Sequence, residues 1–301
     1  MERGETRSAP RPFPPRITTH VLTPMAITAQ DVKELREATG VGMMDCKKAL
    51  VEADGDFDAA VEILRKKGQK VAAKRADREA TEGAVVTATT ESGDAAVIAE
   101  VNSETDFVAR NDEFVAFAEK IARALLAERP ASVEAARTGV QIDGQPLGEA
   151  LTTMTGKIGE KIEVRRFEIL EATAGGTVVD YVHPGAKLGV LVEMTGNGDL
   201  GEAGRDVAMQ AAAMNPVAAT RADVPQDVQD KEVEIGREQA RAEGKPEQIL
   251  DKIAQGKLER YFKDNVLVEQ PFVKDSSQTV QKMLDARGAE LRRFVRFALG
   301  G

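Results

Sequence analysis

The chain has 301 residues, 30 % of them charged and 42 % hydrophobic, with a net charge of −9, the mixture of a soluble globular protein with room for two or three domains. The negative balance argues against a general affinity for nucleic acid or anionic membrane, and 4 % aromatic residues with no Trp leave little for base stacking. A single Cys (Cys46) excludes an internal disulfide and fits a reducing cytoplasm. One Cys and two His (His20, His183) make no zinc cluster, and no apolar run approaches the roughly 20 residues that span a bilayer.

Residues 1–24 read as an unstructured leader, because Pro10, Pro12, Pro14, Pro15 and Pro24 break any helix and no continuous apolar stretch marks a secretory signal. Four arginines hint at a transit peptide, but Glu2, Glu5 and the prolines oppose that reading. A dispensable extension over residues 1–25, with Met25 as the working start, is the expectation.

Residues 26–68 predict a small three-helix bundle. Thr28 caps a first helix bearing Val32, Leu35 and Ala38, which ends at Thr39-Gly40. Gly42-Met43-Met44-Asp45 forms a turn, with Asp45 capping a second helix that carries Ala49, Leu50 and Ala53. After the turn Asp54-Gly55-Asp56, a third helix carries Phe57, Ala60, Val61 and Leu64 and stops at Gly68. Met43 and Met44 lie in the first turn, where methionine suits core filling and binding surfaces alike. Residues 69–80, with Lys70, Lys74, Arg75 and Arg78, read as a charged, partly helical linker, since so short a basic run is more often solvated than nucleic-acid binding.

From Gly83 the pattern turns to strands and repeats itself at an offset of 93 residues. Gly83-Ala84-Val85-Val86-Thr87 matches Gly176-Thr177-Val178-Val179-Asp180, and Ala96–Val101 matches Gly189–Met194 without a gap. Phe114, Ala118 and Ile121 then fall on Val207, Ala211 and Met214, so each copy is a two-stranded hairpin followed by an amphipathic helix. In the same register Asp106-Phe107 falls on Asp199-Leu200, which has no aromatic residue.

Asp106-Phe107 sits between the first copy's second strand and a helix starting near Glu113. Ser103 with Asp106 three residues on resembles a capping box, and on that reading Phe107 is ordinary core. The alternative makes Phe107 a rigid aromatic wedge, presented on a loop for a partner's pocket. Spacing leaves both open.

Between the copies, Ser132–Arg137 and Leu147–Ile158 predict helices, and Ile162–Leu170 a strand that could join one sheet to the other. Asn215-Pro216 ends the second copy's helix. Val228–Glu243 and the segment carrying Ile249, Ile253, Leu258 and Phe262, split by Gly244-Lys245-Pro246, predict an antiparallel helical hairpin. Val228, Ile235 and Ala242 stand seven apart, too weak a heptad to establish a coiled-coil dimer, so a homodimer through the hairpin stays open. Gln270-Pro271-Phe272-Val273 opens a last segment with a helix at Val280–Leu284 and a strand at Leu291–Leu299.

Several of these stretches together resemble the bacterial elongation factor Ts family. They are Val32–Glu37, Thr39–Leu50 with its methionine turn, Glu104-Thr105-Asp106-Phe107-Val108-Ala109, His183 with Leu188–Val192, Gly256-Lys257-Leu258 and Gln270–Val273. The likeness covers roughly Ile27 to Leu299. It implies an α+β fold: an N-terminal three-helix ubiquitin-associated-like bundle, a duplicated β-hairpin/helix core and an inserted antiparallel helical hairpin. The core subdomains are expected at 81–170 and at 171–223 with 263–301, and the hairpin at 224–262.

In function the resemblance implies a cytoplasmic translation elongation factor that binds elongation factor Tu, GDP-bound and nucleotide-free, and promotes GDP release. Such a guanine nucleotide exchange factor needs no catalytic residue, cofactor or metal of its own, and no nucleic acid or membrane partner. By position, Asp106 and Phe107 are implied as the pair that enters the partner's GTPase domain near its Mg²⁺ and phosphate loops. Arg36, Met43, Met44 and Lys47 are implied as docking residues of the bundle, His183 as a contact of the second subdomain, and Val273 as one near the chain end. Ser103 departs from the family's frequent Cys, and Lys274 stands where an apolar residue often follows. Two other classes compete. An enzyme would have only Cys46 and His183 as a remote nucleophile–base pair, and a non-exchanging binding module would use the bundle to hold other partners.

Overall fold

The computed structural model describes residues 27–301, so the expected leader and its Met25 start lie outside the described residues. The chain divides into two compact units, one ending at Leu64 and one running from Arg65 to Gly301.

In the first unit, α1 (Ala29–Thr39) begins at a full capping box, in which Thr28 accepts from the Asp31 amide and Asp31 accepts from the Thr28 amide. It ends at Gly40, whose φ of 65° is the left-handed turn that favours glycine. The second helix, α2 (Met43–Glu52), has Gly42 at its N-cap with no side-chain hydrogen bond. Asp45 is therefore not the N-cap that the sequence predicts; it lies within the first turn, an acidic group at the positive helix end. Val32, Leu35, Cys46, Ala49, Leu50, Ala60 and Leu64 close the core of this unit, together with the start of α3 (Phe57–Arg75).

That third helix does not stop at Gly68 but continues through the expected linker to Arg75. Interior glycine costs about 1 kcal/mol relative to alanine, yet here it permits close packing within the second unit. A Cβ on Gly156 would lie 2.4 Å from the Gly68 Cα.

The second unit opens with β1 (Glu82–Thr89), β2 (Ala95–Ser103), the single turn α4 (Asp106–Ala109) and α5 (Asp112–Glu128). Next come α6 (Val133–Gly139), the small ribbon β3 (Gln141–Ile142) and β4 (Gln145–Pro146), α7 (Leu147–Ile158) and β5 (Glu163–Glu171). The second copy follows as β6 (Thr177–Val182), β7 (Leu188–Gly196) and α8 (Leu200–Met214), and then the hairpin α9 (Gln226–Ala242) and α10 (Glu247–Asn265). The chain closes with β8 (Pro271–Phe272), β9 (Asp275–Thr279), α11 (Val280–Ala286) and β10 (Ala289–Ala298).

Two antiparallel three-stranded sheets result, ordered β1-β2-β5 and β10-β7-β6. Rather than bridging the sheets, β5 completes the first, and β10 completes the second in the same place. Both pairings carry a register shift at the same point, after Glu100 opposite Arg166 and next to Glu193 opposite Arg293. The duplication thus extends to the third strand, beyond what the 93-residue repeat predicts.

Strand alternation assigns each sheet two apolar faces. Val97, Ala99 and Val101 pack with Phe114, Ile121 and Leu125 of α5, and their counterparts Val190, Val192 and Met194 pack with Val207 and Ala211 of α8. On the opposite faces Val85, Ile98 and Leu170 meet Val178, Leu191 and Phe297, so the two sheets pack against each other through equivalent residues. The junction is sealed reciprocally. Val85 N donates to Ala186 O at 2.6 Å, and Val178 N to Gly93 O at 2.7 Å. Covered on both faces, β2 is buried along its whole length. Each large side chain so enclosed contributes about 1.5–3 kcal/mol.

The hairpin helices run antiparallel, with Arg237 paired to Asp251 (2.6 Å) and Arg241 to Glu247 (2.8 Å). Its buried seam is Gly236 and Ala240 against Leu250, Ala254 and Leu258, not the Val228-Ile235-Ala242 heptad. Small residues set this seam: a Cβ on Gly236 would lie 3.0 Å from the Ala254 Cα.

Candidate partner-binding site

Phe107 is 84 % exposed, so it is not core. Around it the chain is anchored: Ala109 is buried, and Val108 packs on the core under the first sheet. The expected Ser103–Asp106 capping box does not form. Ser103 is buried and donates its hydroxyl to Thr105 O (3.0 Å), while Thr105 is the N-cap of α4 and accepts from Val108 N. The turn ends at Arg110, and Asn111 caps α5 through the Glu113 amide (2.8 Å). Phe107 therefore stands on an isolated helical turn between two caps.

Asp106 pairs with Arg110 at 2.9 Å, an exposed i,i+4 contact of only a few tenths of a kcal/mol. The start of the turn is held more firmly. Glu104 accepts from the Arg75 guanidinium and from the Lys161 amide, each at 2.7 Å. Burial pushes the Glu104 carboxyl up, but those two donors outweigh it and hold the group below its ordinary value. Glu160 accepts from both the amide (3.0 Å) and the hydroxyl (2.8 Å) of Thr105.

In the first unit, Met43, Met44 and Lys47 share one exposed face of α2, and Arg36 is exposed in the last turn of α1. Val51, 57 % exposed, continues the same face one turn beyond Lys47. Sequence reasoning missed it, although its spacing from Met44 and Lys47 was the available signal.

His183 and Val273 stand on other connections of the second unit. His183 is exposed after β6, with its Nδ1 2.8 Å from the Tyr181 hydroxyl. Val273, half exposed in the β8–β9 turn, donates its amide to the buried Gln210 (2.8 Å), which in turn donates to Pro271 O (3.2 Å). Lys274 has its own use: its ammonium lies 2.5 Å from the buried Asp206, which Arg287 also pairs at 3.0 Å. The remote nucleophile Cys46 is fully buried with its thiol toward Val41 O (3.4 Å), which leaves it no access to a substrate. Among the described residues no helix is long and apolar enough to cross a membrane.

A family model described as Elongation factor TS matches residues 104–301. The chain is 48 % identical over 276 residues to an elongation factor Ts of Alkalilimnicola ehrlichii, covering 92 % of this chain and 93 % of that one. It is 50 % identical over 280 residues to the elongation factor Ts of Christiangramia forsetii, and 47 % identical over 286 residues to that of Chlorobium phaeobacteroides; both alignments cover 91 % of this chain and 99 % of the relative.

Proposed function

The chain belongs to the elongation factor Ts family, and from that premise we propose that it binds elongation factor Tu·GDP and speeds GDP release by inserting Phe107 near the partner's Mg²⁺ and phosphate loops. The observation that carries this reading is the 84 % exposure of Phe107 on a turn that is otherwise anchored. A large aromatic is normally buried, and one presented on a fixed turn is suited to enter a pocket.

Nucleotide affinity in such GTPases rests on Mg²⁺ and on backbone contacts to the phosphates. A partner that binds the nucleotide-free form more tightly weakens nucleotide binding by the same factor. Burying one Phe yields about 1.5–3 kcal/mol, roughly ten- to hundred-fold. Larger acceleration requires further contacts, and we assign these to Arg36, Met43, Met44, Lys47 and Val51 on the helical unit and to His183 and Val273 on the core. Asp106, held by Arg110, orients the turn and sets a negative charge beside the phosphate loops; it has no acid–base role.

The test mixes the protein with elongation factor Tu carrying a fluorescent GDP. Wild type should accelerate release. Phe107→Ala should slow the stimulated rate at least about ten-fold while the urea midpoint stays in place. Complex formation without any acceleration by the wild type would instead identify a non-exchanging binding module.

A further inference from the structure

We propose that Glu160 is a positioning residue for Phe107, acting with Glu104 as a crossed pair of carboxylates that fixes the exposed turn before a partner arrives. The inference rests on reading Phe107 as the inserted side chain.

The geometry is reciprocal. The Glu104 carboxylate takes the amide of Lys161, the residue after Glu160, and the Glu160 carboxylate takes the amide of Thr105, the residue after Glu104 (2.7 and 3.0 Å). Each glutamate's second oxygen is also used. In Glu104 it accepts from Arg75 at 2.7 Å, and in Glu160 it accepts the Thr105 hydroxyl at 2.8 Å. Because Thr105 gives its hydroxyl proton to Glu160, its lone pairs are left for Val108 N, the hydrogen bond that caps the turn. Glu160 thereby selects the Thr105 rotamer on which the turn depends.

The turn needs that help. It is four residues long, too short to offset the entropy of helix nucleation by itself. Charge-assisted hydrogen bonds to partly buried carboxylates are about twice as strong as neutral ones. Both glutamates are half-buried, where solvent screens such bonds less. The second copy supplies the contrast. Its corresponding segment, Asn197 and Gly198, donates main chain to main chain at Gly288 O (3.0 and 3.3 Å), with no carboxylate and no exposed aromatic after it. The crossed carboxylates accompany Phe107 alone.

The chain contains no Trp, so Phe107→Trp provides a single fluorescent reporter at the tip of the turn. Adding Glu160→Ala should lower the anisotropy of that reporter in the free protein, and Glu160→Gln, which keeps one acceptor, should lower it less. In exchange assays Glu160→Ala in the Phe107 background should reduce the maximal stimulated rate about ten-fold, the size of one charge-assisted hydrogen bond. The half-saturating concentration should move less than about two-fold, because docking elsewhere is intact. In the Phe107→Ala background the same change should have less than about a two-fold effect. Equal effects in both backgrounds, or unchanged anisotropy in both Glu160 variants, would overturn the positioning role. If Phe107→Ala alone leaves exchange untouched, the inserted-side-chain reading fails and takes this proposal with it, a result distinct from a slow Phe107→Ala whose loss multiplies with that of Glu160→Ala.

Discussion

The two copies in the core share a scaffold and differ at one turn. Both place a glutamate at the register shift of their central strand, bury it, and pair it with an arginine of the third strand at 2.8 Å: Glu100 with Arg166, and Glu193 with Arg293. Equivalent residues even meet across the junction, where Thr87 donates to Asp180 at 2.6 Å. After the central strand the copies part. In the second, Asp199 caps a continuous α8, and Leu200 turns onto the core. In the first, the helix is interrupted at Arg110–Asn111, and the residue aligned with Leu200 is the exposed Phe107. Duplication provides a stable frame in both, and breaking one helix turns an apolar residue from core to surface.

Four experiments would break or sharpen this comparison. The largest effect should come from the shared frame. Arg293→Ala and Arg166→Ala leave the buried Glu193 and Glu100 without their main partner, and urea unfolding should lose about 3 kcal/mol, the lower end for broken buried pairs, since both arginines are partly solvated. Arg165, 3.9 Å from Glu100, should make the first-copy loss the smaller of the two. A cost below about 0.5 kcal/mol in both would show that these pairs are not part of the frame.

The divergent position comes next. Leu200→Ala should cost about 1–2 kcal/mol, less than a fully buried leucine. Phe107→Ala should cost under about 0.5 kcal/mol, as surface changes do. Equal costs would mean that the two turns are not different in kind. The caps should then match. Thr105→Ala and Asp199→Ala each remove one side-chain acceptor at a helix start and should each lower stability by about 1 kcal/mol in the same denaturant series.

The smallest effect is the pH response. Burial pushes the carboxyls of Glu104 and Glu193 up, but the Lys161 amide with Arg75, and the Thr173 amide with Arg293, hold them below the ordinary value. A carboxylate lowered on folding adds stability that is complete above its unfolded pKa and is lost as pH falls through the folded one. Unfolding midpoints followed downward from about pH 5, just above the ordinary glutamate value near 4.3, should therefore decline. Glu104→Gln and Glu193→Gln should each flatten that decline, and an unchanged slope in both would contradict the assignment.

The regular parts of the molecule were legible in the sequence because regular elements leave a periodic trace. Leu147–Ile158 is helical over the predicted span, and Ala95–Ser103 and Leu188–Gly196 are strands at the 93-residue offset. Thr28 caps and Gly40 terminates as their residue types dictate. The Asp106-Phe107 motif itself was visible, but whether Phe107 faced core or solvent was not, since a single helical turn has no period to read.

What only the tertiary structure decided came from pairings distant in sequence. Gly68 reads locally as a stop and becomes an interior residue because Gly156, on another helix, needs the space. Ser103 looks like a cap yet is buried in β2, which leaves capping to Thr105. Glu160, 55 residues from Thr105, carries no local signal of its role. Periodicity records how each element meets water on average, whereas the free energy that orients a short turn comes from hydrogen bonds and packing whose partners the fold alone brings within reach.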